Sequence, residues 1–92
     1  MTQNKSKKPN AKYVVICYAI HDKAIASHDS FDSEEDAFAF VKKDACNTYE
    51  EERSSASESQ KDKIELSVYD DGTAVLSSCG GEYEWTWETI RA

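Results

Sequence analysis

Residues 31–53, FDSEEDAFAFVKKDACNTYEEER, predict one long helix, and this helix decides the fold. Asp32 or Ser33 can accept a hydrogen bond from the free backbone N–H groups of the first turn, and Glu35 or Asp36 can return it, as in a capping box. At 100° per residue, one stripe of the helix collects the residues expected to pack on a sheet: Ala37, Phe38, Val41, Ala45, Thr48 and Tyr49. The helix therefore needs a sheet on one side only.

Two strands are predicted before the helix. Residues 13–20, YVVICYAI, are nearly all apolar and rich in β-branched and aromatic side chains, which is typical of a central strand buried on both faces. Residues 21–23 are polar and short enough for a hairpin loop. Residues 24–31 alternate weakly and predict a second, more exposed strand.

Three further strands are predicted after the helix. Residues 54–62 are small and polar and predict a loop, and residues 63–69 alternate as a strand. Residues 70–72, Asp-Asp-Gly, favour a hairpin with a type I′ turn, because Asp-Gly tolerates positive φ angles. Residues 73–78 form the next predicted strand, and Gly80-Gly81 supplies another tight turn.

The last strand, residues 82–90, alternates strictly. Tyr83, Trp85 and Trp87 share one face, and the opposite face carries Glu84, Thr86 and Glu88. Because burial of unpaired glutamates is costly, we expect both tryptophans to be mostly buried against the helix stripe.

The predicted fold class is α+β, a two-layer sandwich of order ββαβββ with one helix packed on a mainly antiparallel sheet. Residues 12–92 form the single domain. Residues 1–11 contain no large apolar residue apart from Met1 and predict a disordered tail.

Composition excludes several classes of protein. The chain has 92 residues, a formal net charge of -7 and 32% charged residues, which excludes a multidomain enzyme and a membrane protein. No signal-peptide pattern is recognised, so a cytoplasmic protein of a bacterial host is expected. Residues 1–12 are basic, with Lys5, Lys7, Lys8 and Lys12 and no acid, whereas residues 13–92 hold 7 basic and 18 acidic residues. Such an acidic body disfavours nucleic acid and anionic membranes as partners and favours basic proteins.

The sequence predicts no catalytic, cofactor-binding or metal-binding residue. Cys17, His21 and His28 are the only candidates for nucleophilic chemistry, and we interpret them as a core thiol and two surface histidines. Cys46 and Cys79 complete an odd number of cysteines without paired metal-ligand spacing, so all three are expected to be free thiols. The protein is therefore predicted not to be an enzyme.

Acidic side chains are the most distinctive candidates for partner binding. Carboxylates fixed on a rigid helix can imitate the phosphates of DNA, and the residues proposed for this contact are Asp32, Glu34, Glu35, Asp36, Glu50, Glu51 and Glu52. The alternative interpretation is a solvated helix face. Phe40, on the flank of the stripe, is either a protein contact or a peripheral core residue. The strand of Tyr83, Trp85 and Trp87 could stack bases, but its flanking glutamates favour a role in the core.

In format, the chain resembles the small acidic proteins that phages and mobile elements encode against host defence enzymes, including anti-CRISPR inhibitors and DNA mimics. The features that carry this resemblance are the short single domain, the acidic helix FDSEEDAFAFVKKDACNTYEEE and the aromatic terminal strand EYEWTWETI. It implies a non-enzymatic inhibitor that blocks a basic, nucleic-acid-binding surface of a host defence nuclease complex. The alternative is a small homodimeric assembly module joined through a sheet edge or the Phe40 side of the helix.

Overall fold

The computed structural model of the protein describes residues 12–92, and it shows one long helix packed across one face of a five-stranded antiparallel sheet. The elements are β1 (Tyr13–Ala19), β2 (Ala24–Phe31), α1 (Glu34–Ser55), α2 (Glu58–Lys61), β3 (Glu65–Val68), β4 (Ala74–Ser78) and β5 (Tyr83–Arg91). The strand order is β2-β1-β5-β4-β3. The predicted α+β sandwich and its order ββαβββ are confirmed. The predicted tail, residues 1–11, lies outside the described residues.

Local sequence determines where α1 begins. Of the two capping candidates, Ser33 is the N-cap, and its hydroxyl accepts the backbone N–H of Asp36 at 3.1 Å. The helix ends at Ser55, two residues beyond the predicted end at Arg53. The prediction that residues 54–62 form a loop was wrong in part, because this segment contains the short helix α2. Neither helix of the described part of the chain is long and apolar enough to cross a membrane.

The core lies between α1 and the middle of the sheet. Its buried members are Val15, Cys17, Ala37, Val41, Ala45, Ile64, Ala74, Leu76 and Trp87. Ala37 and Ala45 are fully buried on α1, and their small side chains let the helix lie close to the sheet. Trp87 is the largest fully buried side chain of this core. The predicted stripe is confirmed, with its edges at Phe38 and Tyr49 half-buried.

The prediction that β1 is buried on both faces was wrong. β1 lies between β2 and β5, and Val15, Cys17 and Ala19 are buried beneath the helix. Tyr18, which points to the other face, is 37% exposed. The apolar run is typical of strands covered on both sides, whereas α1 covers one side of this sheet.

The turn between β3 and β4 also differs from the prediction. Tyr69 N–H donates to Thr73 O at 2.9 Å, which closes a loop of three residues rather than two. A type I′ turn needs positive φ at both central residues, but within this loop only Gly72 has one, at +82°. The Asp71 carboxylate accepts the backbone N–H of Thr73 and takes over part of the turn's hydrogen bonding. The second predicted turn is confirmed, with Gly80 and Gly81 both at positive φ.

The last strand confirms the predicted alternation, but its two tryptophans differ in burial. Trp87 is 1% exposed and lies in the core. Trp85 is only partly buried and packs at the edge of the core, and Tyr83 is 41% exposed. The prediction that both tryptophans are mostly buried is therefore confirmed, with Trp87 fully buried and Trp85 less deeply buried at the edge of the core.

Candidate functional site

The proposed acidic contact residues occupy the two ends of α1. At the first end, Asp32, Glu34, Glu35 and Asp36 are all exposed. Their carboxylates lie beside the positive end of the helix dipole, which stabilises the first turn. The Ser33 cap orders this end, so the acidic side chains project from a fixed backbone.

At the other end of α1, Glu50 and Glu51 are exposed and Glu52 is half-buried. Glu52 lines a shallow groove with Ser78 and Cys79 at the end of β4, so it does not share the outward direction of its two neighbours. The negative charges here lie near the negative end of the helix dipole and are repelled by it. The carboxylates at this end therefore cost stability unless a cation approaches them.

The structure separates the two acidic groups. Glu50 lies sixteen positions after Glu34, which corresponds to about 24 Å along a helix. Lys42 and Lys43 are exposed between them. The seven acids therefore form two surfaces, the N-terminal acidic group and the C-terminal acidic group of α1, rather than one continuous stripe.

Phe40 lies on the side of α1 that faces β2. It is half-buried, and its ring packs on Phe31 with a centroid separation of 5.1 Å. This contact joins α1 to the end of β2 and places Phe40 at the periphery of the core. The peripheral core position is therefore observed, and a contact between the exposed part of Phe40 and a partner stays a prediction.

Sequence reasoning missed a polar contact at the centre of the helix. Trp87 Nε1–H donates to the Asp44 carboxylate at 2.9 Å, across 43 residues of sequence. Asp44 is half-buried, and this hydrogen bond satisfies the indole N–H that burial would otherwise leave without a partner. The position of Asp44 one residue before the buried Ala45 was the only signal of a polar residue close to the core.

His21 is a structural residue, contrary to the prediction that it lies on the surface. Its side chain is 15% exposed, and Nδ1 accepts the backbone N–H of Glu84 at 3.1 Å. The edge of its ring meets Tyr83 and Trp85 with centroid separations of 5.1 and 4.8 Å. His21 therefore closes the end of the sheet where the β1–β2 turn meets β5. His28 is exposed on β2, as predicted.

Cys17 is a buried thiol of the core, as predicted. Burial, with a smaller contribution from the Asp44 carboxylate, raises the pKa of Cys17 from 9.0 to about 11. The thiol is therefore protonated at neutral pH and is a poor nucleophile. Cys46 is exposed and Cys79 is half-buried, and both are free. Within residues 12–92, no group of three or more histidine, cysteine or acidic side chains is arranged to hold a metal ion.

The shifted pKa of Cys17 predicts a loss of stability at high pH. Between pH 9.0 and about 11, the unfolded chain releases the thiol proton while the folded chain keeps it, so the free energy of unfolding falls as pH rises. The slope due to this one group reaches about 1.4 kcal/mol per pH unit. Urea unfolding of the wild type and of Cys17→Ala across this range measures the difference between the two slopes.

The exposed Cys46 provides the matched control for this measurement. Cys46→Ala should keep the wild-type dependence on pH, whereas Cys17→Ala should show a shallower one. Parallel curves for the wild type and Cys17→Ala would contradict burial of this thiol in the folded chain.

One surface groove of about 360 Å³ lies between α1 and the β3–β4 turn. It is lined by Phe38, Ala39, Lys42, Val68, Tyr69 and Asp70. Its polar side chains are those of Lys42, Tyr69 and Asp70. It adds apolar surface beside the N-terminal half of α1.

Comparison of the chain with family models, curated proteins and solved structures gave no match. The candidate site therefore depends on the charges and contacts of this chain alone.

Proposed function

We propose that this protein is a non-enzymatic acidic binding protein that blocks a basic, nucleic-acid-binding surface of a partner protein. A host defence nuclease complex is the class of partner that fits best, because such complexes hold nucleic acid in positively charged channels. The observation that carries the proposal is the pair of acidic groups held at fixed separation by a capped, rigid helix.

Four carboxylates of these groups, two at each end of α1, are available to an external cation. Among residues 12–92, Glu34, Glu35, Glu50 and Glu51 make no hydrogen bond or ion pair through their side chains. A lysine or arginine of a partner therefore displaces only water when it binds them. Two groups about 24 Å apart can reach basic side chains on two walls of a cleft, since α1 keeps their separation constant.

The charge of the chain supports the same proposal through association kinetics. Residues 13–92 carry a net charge of -11, which accelerates encounter with a positively charged surface and repels free nucleic acid. The protein and DNA are both negatively charged and repel each other. They therefore cannot bind side by side on one basic surface of the partner. The expected outcome is competition with nucleic acid rather than cleavage or modification of it.

The proposal predicts a partner that nucleic acid displaces. The tagged protein should capture a nucleic-acid-binding protein from host lysate at about 0.1 M salt, where charges interact over about 10 Å, and lose it at about 1 M, where they interact over about 3 Å. Added duplex DNA should compete for the captured partner. Recovery of no nucleic-acid-handling protein at either ionic strength would refute the proposal.

Three sets of substitutions with equal change of charge test the location of the contact. The first set neutralises three of the four acids of the N-terminal acidic group through Glu34→Gln, Glu35→Gln and Asp36→Asn. The second set neutralises the C-terminal acidic group through Glu50→Gln, Glu51→Gln and Glu52→Gln. The control set neutralises three exposed acids outside α1 through Glu65→Gln, Asp70→Asn and Glu82→Gln.

Each of the first two sets should reduce recovery of the partner at least tenfold, and the control set should leave it close to the wild-type value. Equal loss in all three sets would show that net charge alone, and not the two ends of α1, determines binding. Circular dichroism of each variant verifies that α1 is intact.

A further inference from the structure

The sheet face opposite α1 carries a continuous apolar patch, which we name the open face. Its apolar members are Val14, Ile16, Tyr18, Ile25, Val75 and Ile90. The strand register makes them neighbours: Val14 lies opposite Ile90, and Tyr18 lies opposite Ile25 on one side and Thr86 on the other. Thr86 in turn lies opposite Val75, so Val75 on β4 is joined to the patch only through this threonine, and the directly paired apolar residues lie on β2, β1 and β5.

The open face is more apolar than a solvated sheet face. Tyr18, Ile25 and Ile90 are 37%, 57% and 41% exposed. An antiparallel sheet with one wet face alternates apolar and polar residues, but β1 is apolar on both sides. Contiguous apolar patches of this kind mark interaction surfaces, and no element among residues 12–92 covers this one.

We propose that a second copy of this chain covers the open face, with the two sheets stacked face to face about a two-fold axis parallel to β1. The two copies of α1 then lie on the outside of a four-layer dimer. Sheets that pack in this way are about 10 Å apart and keep their strands within about 30° of each other. This interface differs from the two that the sequence suggested for a homodimer, a sheet edge and the Phe40 side of the helix.

Charge complementarity favours a second copy over another partner. One row across the open face contains His28 on β2, Ile16 on β1 and Glu88 on β5. His28 and Glu88 are each one strand away from Ile16, on opposite sides. A two-fold axis along β1 therefore stacks Ile16 on its own copy and places His28 of each chain over Glu88 of the other. The imidazole N–H of each His28 can donate to the Glu88 carboxylate of the other chain, so the dimer contains two equivalent hydrogen bonds of this kind.

Both edge strands of the sheet carry features that hinder pairing with another strand, so the open face is the better candidate for the interface. β3 has only four residues. β2 has a bulge opposite Cys17 and Tyr18, and the charge of Asp29 lies along it. Short strands, bulges and charges are the features that protect sheet edges from pairing. The open face has no comparable protection along β1.

The size of the patch predicts a weak dimer. Three overlapping strands of about seven residues cover roughly 14 by 23 Å. This area is below the roughly 800 Å² per partner of a standard stable interface. Each chain also carries a net charge of -7, so salt should strengthen dimerisation by screening the repulsion. The proposed binding of a basic partner has the opposite dependence on salt, which separates the two proposals experimentally.

Sedimentation equilibrium of the full chain tests the dimer. We expect a Kd of about 10–100 μM, a value within the weak range of transient interfaces, that decreases as salt is raised. Ile16→Lys should weaken dimerisation at least tenfold, because two lysines would meet on the axis. Val68→Lys adds the same charge at an exposed position that is not on the open face, and it should dimerise like the wild type. A wild type that stays monomeric to about 1 mM at all salt concentrations would overturn the proposal.

A charge swap tests the orientation without changing the apolar patch. His28→Glu should weaken the dimer because an acid then lies over Glu88 of the other chain. Addition of Glu88→Lys to that variant should restore the wild-type Kd within about threefold. A dimer that tolerates His28→Glu alone would overturn the proposed two-fold arrangement. Ile16→Lys should leave capture of the basic partner unchanged, so failure of either proposal is visible without the other.

Discussion

Trp87→Ala should lower the free energy of unfolding by about 3–5 kcal/mol, the largest effect expected from a single substitution in this chain. Trp87 is 1% exposed and lies between Cys17 on β1 and Ala74 on β4, beneath α1. Its removal leaves a cavity that Ala37 and Ala45 on the helix are too small to fill. For a domain of this size, each kcal/mol corresponds to about 4–8 °C in Tm. Urea and thermal unfolding followed by circular dichroism measure the loss.

Two further variants divide this effect into its parts. Trp87→Phe keeps most of the apolar volume but removes the hydrogen bond to the Asp44 carboxylate, which should cost about 1.5–3 kcal/mol. Tyr83→Ala is the matched control, because Tyr83 shares the face of β5 but is 41% exposed. Its cost should stay below about 1 kcal/mol. Similar melting of Tyr83→Ala and Trp87→Ala would contradict the assignment of Trp87 to the core.

The order of the elements could be predicted because each element has its own local signal. The period of 3.6 in residues 37–49, the alternation in β5 and the turn residues around Gly72 and Gly80 are properties of short segments. A helix flanked by hairpins then leaves few arrangements, and the antiparallel sandwich is the simplest of them. The capping residue was also local, because Ser33 and Asp36 are three residues apart.

Contacts between distant segments could not be predicted in the same way. The hydrogen bond from Trp87 to Asp44 and the packing of His21 on Glu84 and Trp85 join residues 43 or more positions apart. No period or spacing in the sequence indicates these pairs. Similarly, the acids at the two ends of α1 look like one series in the sequence, but the rise of the helix separates them into two surfaces.

The mistaken prediction for β1 has a physical interpretation. Its apolar run predicts cover on both faces, and the chain supplies cover on one. If a second copy covers the open face, β1 is buried on both sides in the dimer, and the sequence pattern then agrees with the assembled state. Local sequence reports the environment of a residue in its final assembly, which a single chain does not always contain.

Gly72→Ala should destabilise the fold by about 2–5 kcal/mol, the second largest effect expected. Gly72 has a φ of +82°, a conformation that costs an L residue about 1–2 kcal/mol. A Cβ at this position would also lie 2.7 Å from Thr89 Oγ1 and closer still to the ring of Phe38. Overpacking of this kind typically costs a further 1–3 kcal/mol. The Thr89 hydroxyl cannot move away freely, because it donates to Gly72 O at 2.8 Å.

Gly80→Ala separates the backbone cost from the steric cost. Gly80 has a similar φ of +70°, but a Cβ there meets no atom within 4 Å. Gly80→Ala should therefore lower the free energy of unfolding only by the cost of the left-handed backbone conformation, about 1–2 kcal/mol. The double variant Gly72→Ala with Phe38→Ala completes a cycle, and it should be more stable than the sum of the single losses predicts, since removal of the Phe38 ring makes room for the new methyl group. Equal losses for Gly72→Ala and Gly80→Ala, measured by urea unfolding, would show that the Phe38 ring moves aside at no cost. In that case the β3–β4 turn would not be held tightly against α1.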